Sequence, residues 1–413
     1  MKQTILNSDW VTALALFFPI LIVGIEYTSE LAILILSGVG AYQAFKNPFQ
    51  HNPENSLKLY SAITLGFFFI GASSVIGSEN TSEGLHEIGS SVHFLLAPLV
   101  AYALSQKVLW PLLLKAFKIS CIIACIIALF QSFAFGIVRA QGGATASTLF
   151  GIILAMFSYF SLVNIFNEPK QERILSVIAF ICAVIAIILS QTRVAIIIMI
   201  ALPFIMITLW AAAGHINRKT LALCAGGVFF TIAILASSNT IQDRFSLAKE
   251  EFNSFFLTES IDKSDTSIET AVGLRLAMWE SGYLAFKEKP LRGHGLQNTN
   301  TAAAKHVYNP VTKAEVARFE QLHNDYINSL VGMGALGFTG FLGLTLVPLV
   351  VFIRRLKVGG DFGKNAIGII FIIGCLISAL TDSIYTSSTM RAFYIFMLAV
   401  TLVNTSSGVK APK

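Results

Sequence analysis

The chain has 413 residues, of which 55% are hydrophobic and only 13% are charged, and its net charge is +6. A soluble domain carries about 25% charged residues, so this composition excludes an ordinary soluble protein and predicts an integral membrane protein. The excess of positive charge argues little for nucleic-acid binding, because most of it follows the arrangement of the chain in the membrane.

Long apolar runs along the chain predict an all-α polytopic fold with about twelve transmembrane helices. A run of about 18 apolar residues is long enough to cross the hydrocarbon core of a bilayer as a helix. In chain order, the predicted spans are residues 10–26, 30–45, 59–77, 88–106, 112–136, 146–166, 174–190, 194–213, 220–238, 324–353, 366–382 and 390–406.

The positive residues set the predicted orientation. If both termini are cytoplasmic, 16 of the 29 Lys and Arg residues fall in cytoplasmic segments. The short loops on the other side then contain only Arg139, Arg193 and Arg391. Because positive residues concentrate on the cytoplasmic side of membrane proteins, this asymmetry predicts cytoplasmic termini.

One hydrophilic segment divides the chain into residues 1–237 with nine spans, a loop region at 238–322, and residues 323–413 with three spans. The loop region is far longer than an ordinary connection and is therefore a candidate functional region, placed outside the cytoplasm. Apolar residues at helical spacing follow Asp243 and Gly273. This pattern predicts short amphipathic helices on the membrane surface.

Several familiar motifs are missing from the sequence. It contains no Gly-rich phosphate loop, no His-Glu-x-x-His motif and no Asp-x-Asp pair. His86 and His93 are separated by about 10.5 Å along a helix, which is too far for them to share one ion. We therefore predict no metal site and no cofactor, and we expect neither ATP-driven nor nucleotide-sugar chemistry.

Among the arginines on the predicted non-cytoplasmic side, four are candidates for a site: Arg139 and Arg193 in short loops, Arg275 in the apolar stretch "AVGLRLAMW", and Arg391 at the start of the last span. Each can simply anchor a helix end at the membrane interface. However, each short loop retains an Arg and no Lys, and a planar guanidinium binds phosphate through paired hydrogen bonds. Together the four predict an outward-facing anion site, for example for the diphosphate of a lipid.

His323 lies in "RFEQLHNDYINSLVGMGALG", where a polar segment meets a long apolar helix. Asn324 and Asp325 follow it and suit the positive end of that helix. One interpretation is that His323 caps and anchors the helix. The other is that it acts as a general base, since imidazole exchanges a proton near neutral pH. Glu320 or Asp325 is then expected to orient it.

Three motifs in order resemble the O-antigen ligase family: "SQTR" before an apolar helix, "GLRLAMWE" in the long loop, and "LHNDYINSLVGMGALG". The wider superfamily also holds O-antigen polymerases and protein O-oligosaccharyltransferases. The resemblance implies a GT-C-like glycosyltransferase of the bacterial inner membrane whose large loop is periplasmic. It implies metal-independent, inverting transfer of a glycan from undecaprenyl diphosphate to a hydroxyl of the lipid A core oligosaccharide.

The resemblance also implies roles for residues and partners. Arg193 and Arg275 are expected to hold the donor diphosphate, and His323 to act as the base or to position the acceptor, with capping left to Asn324 and Asp325. Arg139 and Arg391 are added as diphosphate ligands from their location alone. The expected partners are undecaprenyl-diphosphate-linked O-antigen, the lipid A core and membrane lipids, without nucleic acid.

Three alternatives remain beside the ligase. An O-antigen polymerase would use the same donor but add the glycan to another lipid-linked repeat; the single dominant loop favours the ligase. A protein O-oligosaccharyltransferase would use a protein acceptor. A transporter of lipid-linked glycans would concentrate ionisable residues near the membrane midplane, whereas here they gather at one face.

Overall fold

The computed structural model describes residues 6–46, 55–75, 81–105, 110–217 and 271–403, together with isolated positions between 221 and 253. These residues form helices and connecting turns, without strands. The helices are α1 Leu6–Gly24, α2 Thr28–Lys46, α3 Asn55–Ser74, α4 Thr81–Ser90, α5 Val92–Ser105, α6 Trp110–Leu129, α7 Ser147–Leu162, α8 Lys170–Ser190, α9 Arg193–Ala212, α10 Ala271–Glu288, α11 Thr299–Ala304, α12 Pro310–Arg318, α13 Asp325–Lys357, α14 Phe362–Ala379 and α15 Ser388–Leu398.

Among the described residues, seven helical segments are long and apolar enough to cross a membrane: Asn55–Ser74, Ser82–Ser105, Trp110–Ala134, Lys170–Ser190, Arg193–Ala212, Asp325–Lys357 and Phe362–Ala379. Three shorter apolar helices accompany them. The prediction of an all-helical, multi-pass membrane protein is therefore confirmed. The number of twelve spans and the GT-C-like arrangement stay predictions. The predicted ninth span and the first part of the loop region lie largely outside the described residues.

Helices α7 and α15 lie at the centre of the bundle. Almost every side chain of both is buried, as expected for helices that are apolar on all sides and surrounded by other helices. Aromatic rings fill the contacts: Phe157 of α7 packs edge-on against Phe393 of α15, and Phe18 stacks on Phe396 at 3.9 Å. This core fixes the position of the turn that precedes α15.

Helix α13 is broken near its start. Gly334 has φ +66° and ψ −160°, values that no helix adopts. The turn after α10 lies across the break, where the Ala335 amide donates to the Pro290 carbonyl at 2.8 Å and the His294 amide donates to the Val331 carbonyl at 2.8 Å. Backbone groups released by the break are thus paired again by the loop region.

Helices α10 to α12 form a small unit with its own apolar core. The buried members of this core are Met278, Ala285, Ala302, Ala303, Ala304, Val316, Leu322 and Val331. Val331 belongs to the first part of α13, so the unit packs directly on the segment that follows His323. The helix predicted to begin near Gly273 is confirmed as α10. It packs against the first part of α13.

A buried ion pair joins α6 to the connection before α8, on the predicted cytoplasmic side. The Lys118 Nζ lies 2.7 Å from Glu168 Oε1, and the two side chains are only 3% and 12% exposed. The hydroxyl of Ser176 donates to the second Glu168 oxygen at 2.6 Å. Each oxygen of the buried Glu168 carboxylate thus has a hydrogen-bond donor.

Candidate functional site

Three of the four predicted arginines line one cavity. Its volume is about 380 Å³, and its walls include Arg139, Arg193 and Arg275 together with Trp279 and Asp382. Among the described residues, no group of three or more His, Cys, Asp or Glu side chains is arranged to hold a metal ion. Guanidinium groups that converge on one space repel each other, so the arrangement favours binding of an anion between them.

The turn between α8 and α9 places Arg193. Gln191 adopts a left-handed conformation with φ +52°, which ends α8 sharply. The hydroxyl of the buried Thr192 then donates to the Ser147 carbonyl at 2.9 Å, which ties the turn to the start of α7. Arg193 is the first residue of α9, so its side chain leaves from a fixed backbone position beside the cavity.

Arg139 is held against the same turn. Its Nε donates to the Ser190 carbonyl at 3.4 Å, and the adjacent Ala140 amide donates to the Leu189 carbonyl at 3.0 Å. The Gln191 side-chain amide donates back to the Val138 carbonyl at 2.9 Å. The segment after α6 and the end of α8 therefore form one unit that carries both Arg139 and Arg193.

Helix α10 contributes Arg275 and Trp279, which are one turn apart and lie on the same face. The Trp279 Nε1–H donates to the Leu322 carbonyl at 3.0 Å, so α10 is bound to the residue that precedes His323. Gly282 allows this close approach, because a Cβ there would lie 2.8 Å from Ile327. This contact holds α10, which carries Arg275, next to the residue that precedes His323.

His323 lies at the border of the arginine cavity. Its Nδ1 is 3.4 Å from Asp382 Oδ1, and Asp382 itself lines the cavity. The two side chains are 21% and 14% exposed, so substrate can reach them. The Phe319 ring packs edge-on against the imidazole at 5.4 Å. The backbone of His323 has φ +50°, a conformation that a residue with a side chain seldom adopts.

The turn before α13 is fixed to the turn between α14 and α15. Asn324 caps α13 by accepting hydrogen bonds from the Tyr326 and Ile327 amides, and its own amide donates to the Leu380 carbonyl at 3.0 Å. Asp325 does not cap the helix through its side chain; its carboxylate accepts from the Ile384 amide at 2.8 Å. His323 thus sits between two anchored residues and a fixed turn.

Asp382 is the carboxylate beside His323, rather than Glu320 or Asp325, the two that were predicted from the sequence. Glu320 is exposed, and Asp325 is occupied by backbone amides, whereas Asp382 contacts the imidazole. Asp382 was not predicted from the sequence, although it is the one charged residue in the polar connection "TDSIYTSSTM" before Arg391. Its position as a single acid on the same predicted side of the membrane as the arginines is the signal by which it could have been found.

Arg391, the fourth predicted arginine, is not among the residues that line the cavity. Its side chain is only 4% exposed, and its Nη1 donates to the Tyr385 carbonyl at 3.3 Å. The structure therefore places it behind the turn that carries Asp382. In this position it supports that turn, while Arg139, Arg193 and Arg275 supply the charge that faces the cavity.

Comparison with known proteins agrees with the motifs. Residues 178–342 match the family model described as O-antigen ligase, and this stretch contains Arg193, Arg275 and His323. The resemblance to the O-antigen ligase family is therefore confirmed. An uncharacterized protein of Haemophilus influenzae is 25% identical over 384 residues, which cover 92% of this chain and 93% of that protein.

Proposed function

We propose that this protein is an O-antigen ligase. In this proposal it transfers a glycan from undecaprenyl diphosphate to a hydroxyl of the lipid A core oligosaccharide, at the periplasmic face of the bacterial inner membrane. The observation that carries the proposal is the convergence of Arg139, Arg193 and Arg275 on one cavity that is bordered by His323 and Asp382. The match to the O-antigen ligase family supports the same reaction class.

The three cavity arginines hold the donor diphosphate. When the bond between the sugar and the diphosphate breaks, its electrons pass to the diphosphate oxygen and the negative charge on the leaving group grows. Fixed guanidinium groups stabilise this charge more strongly in the transition state than in the bound donor, which lowers the barrier. The anchored turns that carry Arg139 and Arg193 provide this fixed geometry.

His323 acts as the general base. Asp382 engages Nδ1, so Nε2 is the nitrogen that takes the proton from the acceptor hydroxyl. The hydroxyl oxygen attacks the anomeric carbon from the side opposite the diphosphate, and the configuration of the sugar is inverted. Asp382 stabilises the imidazolium that results, because opposite charges at this distance attract.

The apolar side of the cavity accommodates the polyprenyl tail. Val194 and Ile197 of α9 line the cavity, and Ile197 is 40% exposed. Phe204 lies two turns further along the same face of α9 and is 58% exposed. The tail leaves the arginines along this stripe and passes into the membrane, where contact with an apolar helix surface costs little.

The lipopolysaccharide of a deletion strain tests the proposal. We expect lipid A core without attached O-glycan, together with long polymer that accumulates on undecaprenyl diphosphate, and we expect the wild-type gene to restore the attachment. A core capped by a single repeat would instead identify a polymerase. Donor that accumulates on the cytoplasmic leaflet would identify a transporter, and both results would overturn the proposal.

A further inference from the structure

A second group of cations lies outside the cavity, around the end of α10. It consists of four exposed side chains, Lys287, Lys289, Arg292 and Lys305, which we call the α10 basic surface. All four residues belong to the predicted periplasmic loop region.

Backbone and side-chain contacts bring these four residues together. The Gly293 amide donates to the Lys289 carbonyl at 3.0 Å, which folds Arg292 back onto the last turn of α10. The His306 Nε2 lies 3.2 Å from Glu288 Oε1, so the backbone of the neighbouring Lys305 also lies near the end of α10. The surface is therefore a product of the fold and includes residues from two separate segments.

Within the described part of the chain, the charges of the α10 basic surface are not neutralised by ion pairs. None of the four cations lies within 4 Å of a carboxylate oxygen of a described residue, and Lys287 Nζ instead lies 4.5 Å above the Tyr283 ring. Lys287 and Lys289 complement the negative end of the α10 dipole. Arg292 and Lys305 lie outside that helix, so its dipole does not explain them.

Exposed apolar side chains adjoin these cations. Tyr283 is 54% exposed, Leu291 is 70% exposed and Tyr308 is 99% exposed. Aromatic and aliphatic groups beside Lys and Arg are typical of surfaces that contact the headgroups of anionic lipids. The composition of the surface therefore fits an amphiphilic partner with negative charge.

We infer that the α10 basic surface binds the anionic headgroup of the acceptor glycolipid, an inference that rests on the proposed function. A transfer reaction needs two substrates, and the cavity arginines already serve the donor diphosphate. Arg275 and Lys287 are separated by about 18 Å along α10. A phospholipid headgroup is too short to extend from the surface to the cavity, whereas a glycolipid with several sugars spans this distance.

The test is a binding titration of the purified full-length protein with core–lipid A, without any donor. The triple variant Lys289→Gln, Arg292→Gln, Lys305→Gln is expected to raise the Kd roughly 10- to 100-fold. The matched control is Lys313→Gln, which removes another exposed cation, from α12, and should leave the Kd unchanged. In a transfer assay, the triple variant should raise the KM for core–lipid A while kcat and the KM for the donor stay unchanged.

The inference would be overturned if the triple variant binds core–lipid A with the wild-type Kd. It would also be overturned if phosphatase-treated core–lipid A binds as tightly as the untreated lipid, or if phosphatidylglycerol competes for the protein as well as core–lipid A does. The last result would identify a general membrane anchor. The binding titration does not depend on glycan transfer. If the wild-type protein binds core–lipid A through this surface but transfers no glycan, the proposed function is refuted and the inference about the surface is not.

Discussion

The His323 Nδ1 lies 3.4 Å from Asp382 Oδ1, although the two residues are 59 positions apart in the chain. The pair exists because two turns meet: Asn324 donates to the Leu380 carbonyl, and Asp325 accepts from the Ile384 amide. The candidate base and its carboxylate are therefore assembled by tertiary contacts at the ends of three helices, next to the arginine cavity.

Replacing Asp382 tests this pair. Asp382→Asn keeps the size of the side chain but removes the charge that stabilises the imidazolium, and we expect the rate of glycan transfer to fall by roughly 10²-fold. The exposed Glu320 is the competing carboxylate, and Glu320→Gln is expected to transfer at the wild-type rate. Single-turnover transfer measures both. The opposite ranking of the two variants would assign the orienting role to Glu320.

The chemistry of the cavity arginines is tested by Arg275→Lys. This variant keeps the positive charge but loses the planar pair of donors that matches a phosphate, so we expect transfer to fall by roughly 10²-fold or more. The control is Arg318→Lys on α12, where the side chain is 70% exposed and pairs with Glu315. If Arg275→Lys has wild-type kcat/KM for the donor, a point charge is sufficient and bidentate recognition is refuted.

The break in α13 predicts unequal effects for two glycines of the same helix. A Cβ at Gly334 would lie 2.4 Å from the Leu291 carbonyl carbon, and its φ of +66° is unfavourable for alanine. We expect Gly334→Ala to destabilise the protein by more than about 2 kcal/mol. Gly343 has no atom within 4 Å of such a Cβ, so Gly343→Ala should leave stability unchanged or slightly raised. Thermal unfolding in detergent compares them, and equal midpoints would argue against the break.

The buried ion pair on the predicted cytoplasmic side should affect stability without affecting chemistry. Lys118→Met leaves the Glu168 carboxylate buried without its cation, a change that costs about 3 to 5 kcal/mol. Lys115 also pairs with a glutamate, but it is 53% exposed, so Lys115→Met should cost about 1 kcal/mol or less. Thermal midpoints test the ranking. Transfer per folded molecule should stay unchanged in both variants, and a loss of it in Lys118→Met would link this side to the reaction.

Much of the fold could be predicted from local sequence, because hydropathy reports directly on transmembrane helices. The break at Gly334 could not be predicted in this way, since the residues on both sides of it are apolar and only the loop contact reveals it. The packing of α10 against the start of α13 could not be predicted either. It depends on the hydrogen bond from Trp279 to Leu322, which no local pattern encodes.

The candidate site was predictable where a side chain lies within a sequence motif, as for Arg193, Arg275 and His323. Location alone named Arg139, which lines the cavity, and also Arg391, which does not. Sequence places a residue at a helix end but does not show which way its side chain points. Asp382 was missed for a related reason, because its contact with His323 depends on how two distant turns meet.

The role of His323 as the base of a glycan transfer is tested most directly with purified wild-type and His323→Ala proteins in proteoliposomes that contain undecaprenyl-diphosphate-linked glycan and core–lipid A. We expect wild type to extend core–lipid A and to release undecaprenyl diphosphate. We expect His323→Ala to bind the donor with unchanged affinity but to transfer the glycan at least about 10²-fold more slowly. Transfer by His323→Ala at the wild-type rate would show that His323 is not the base.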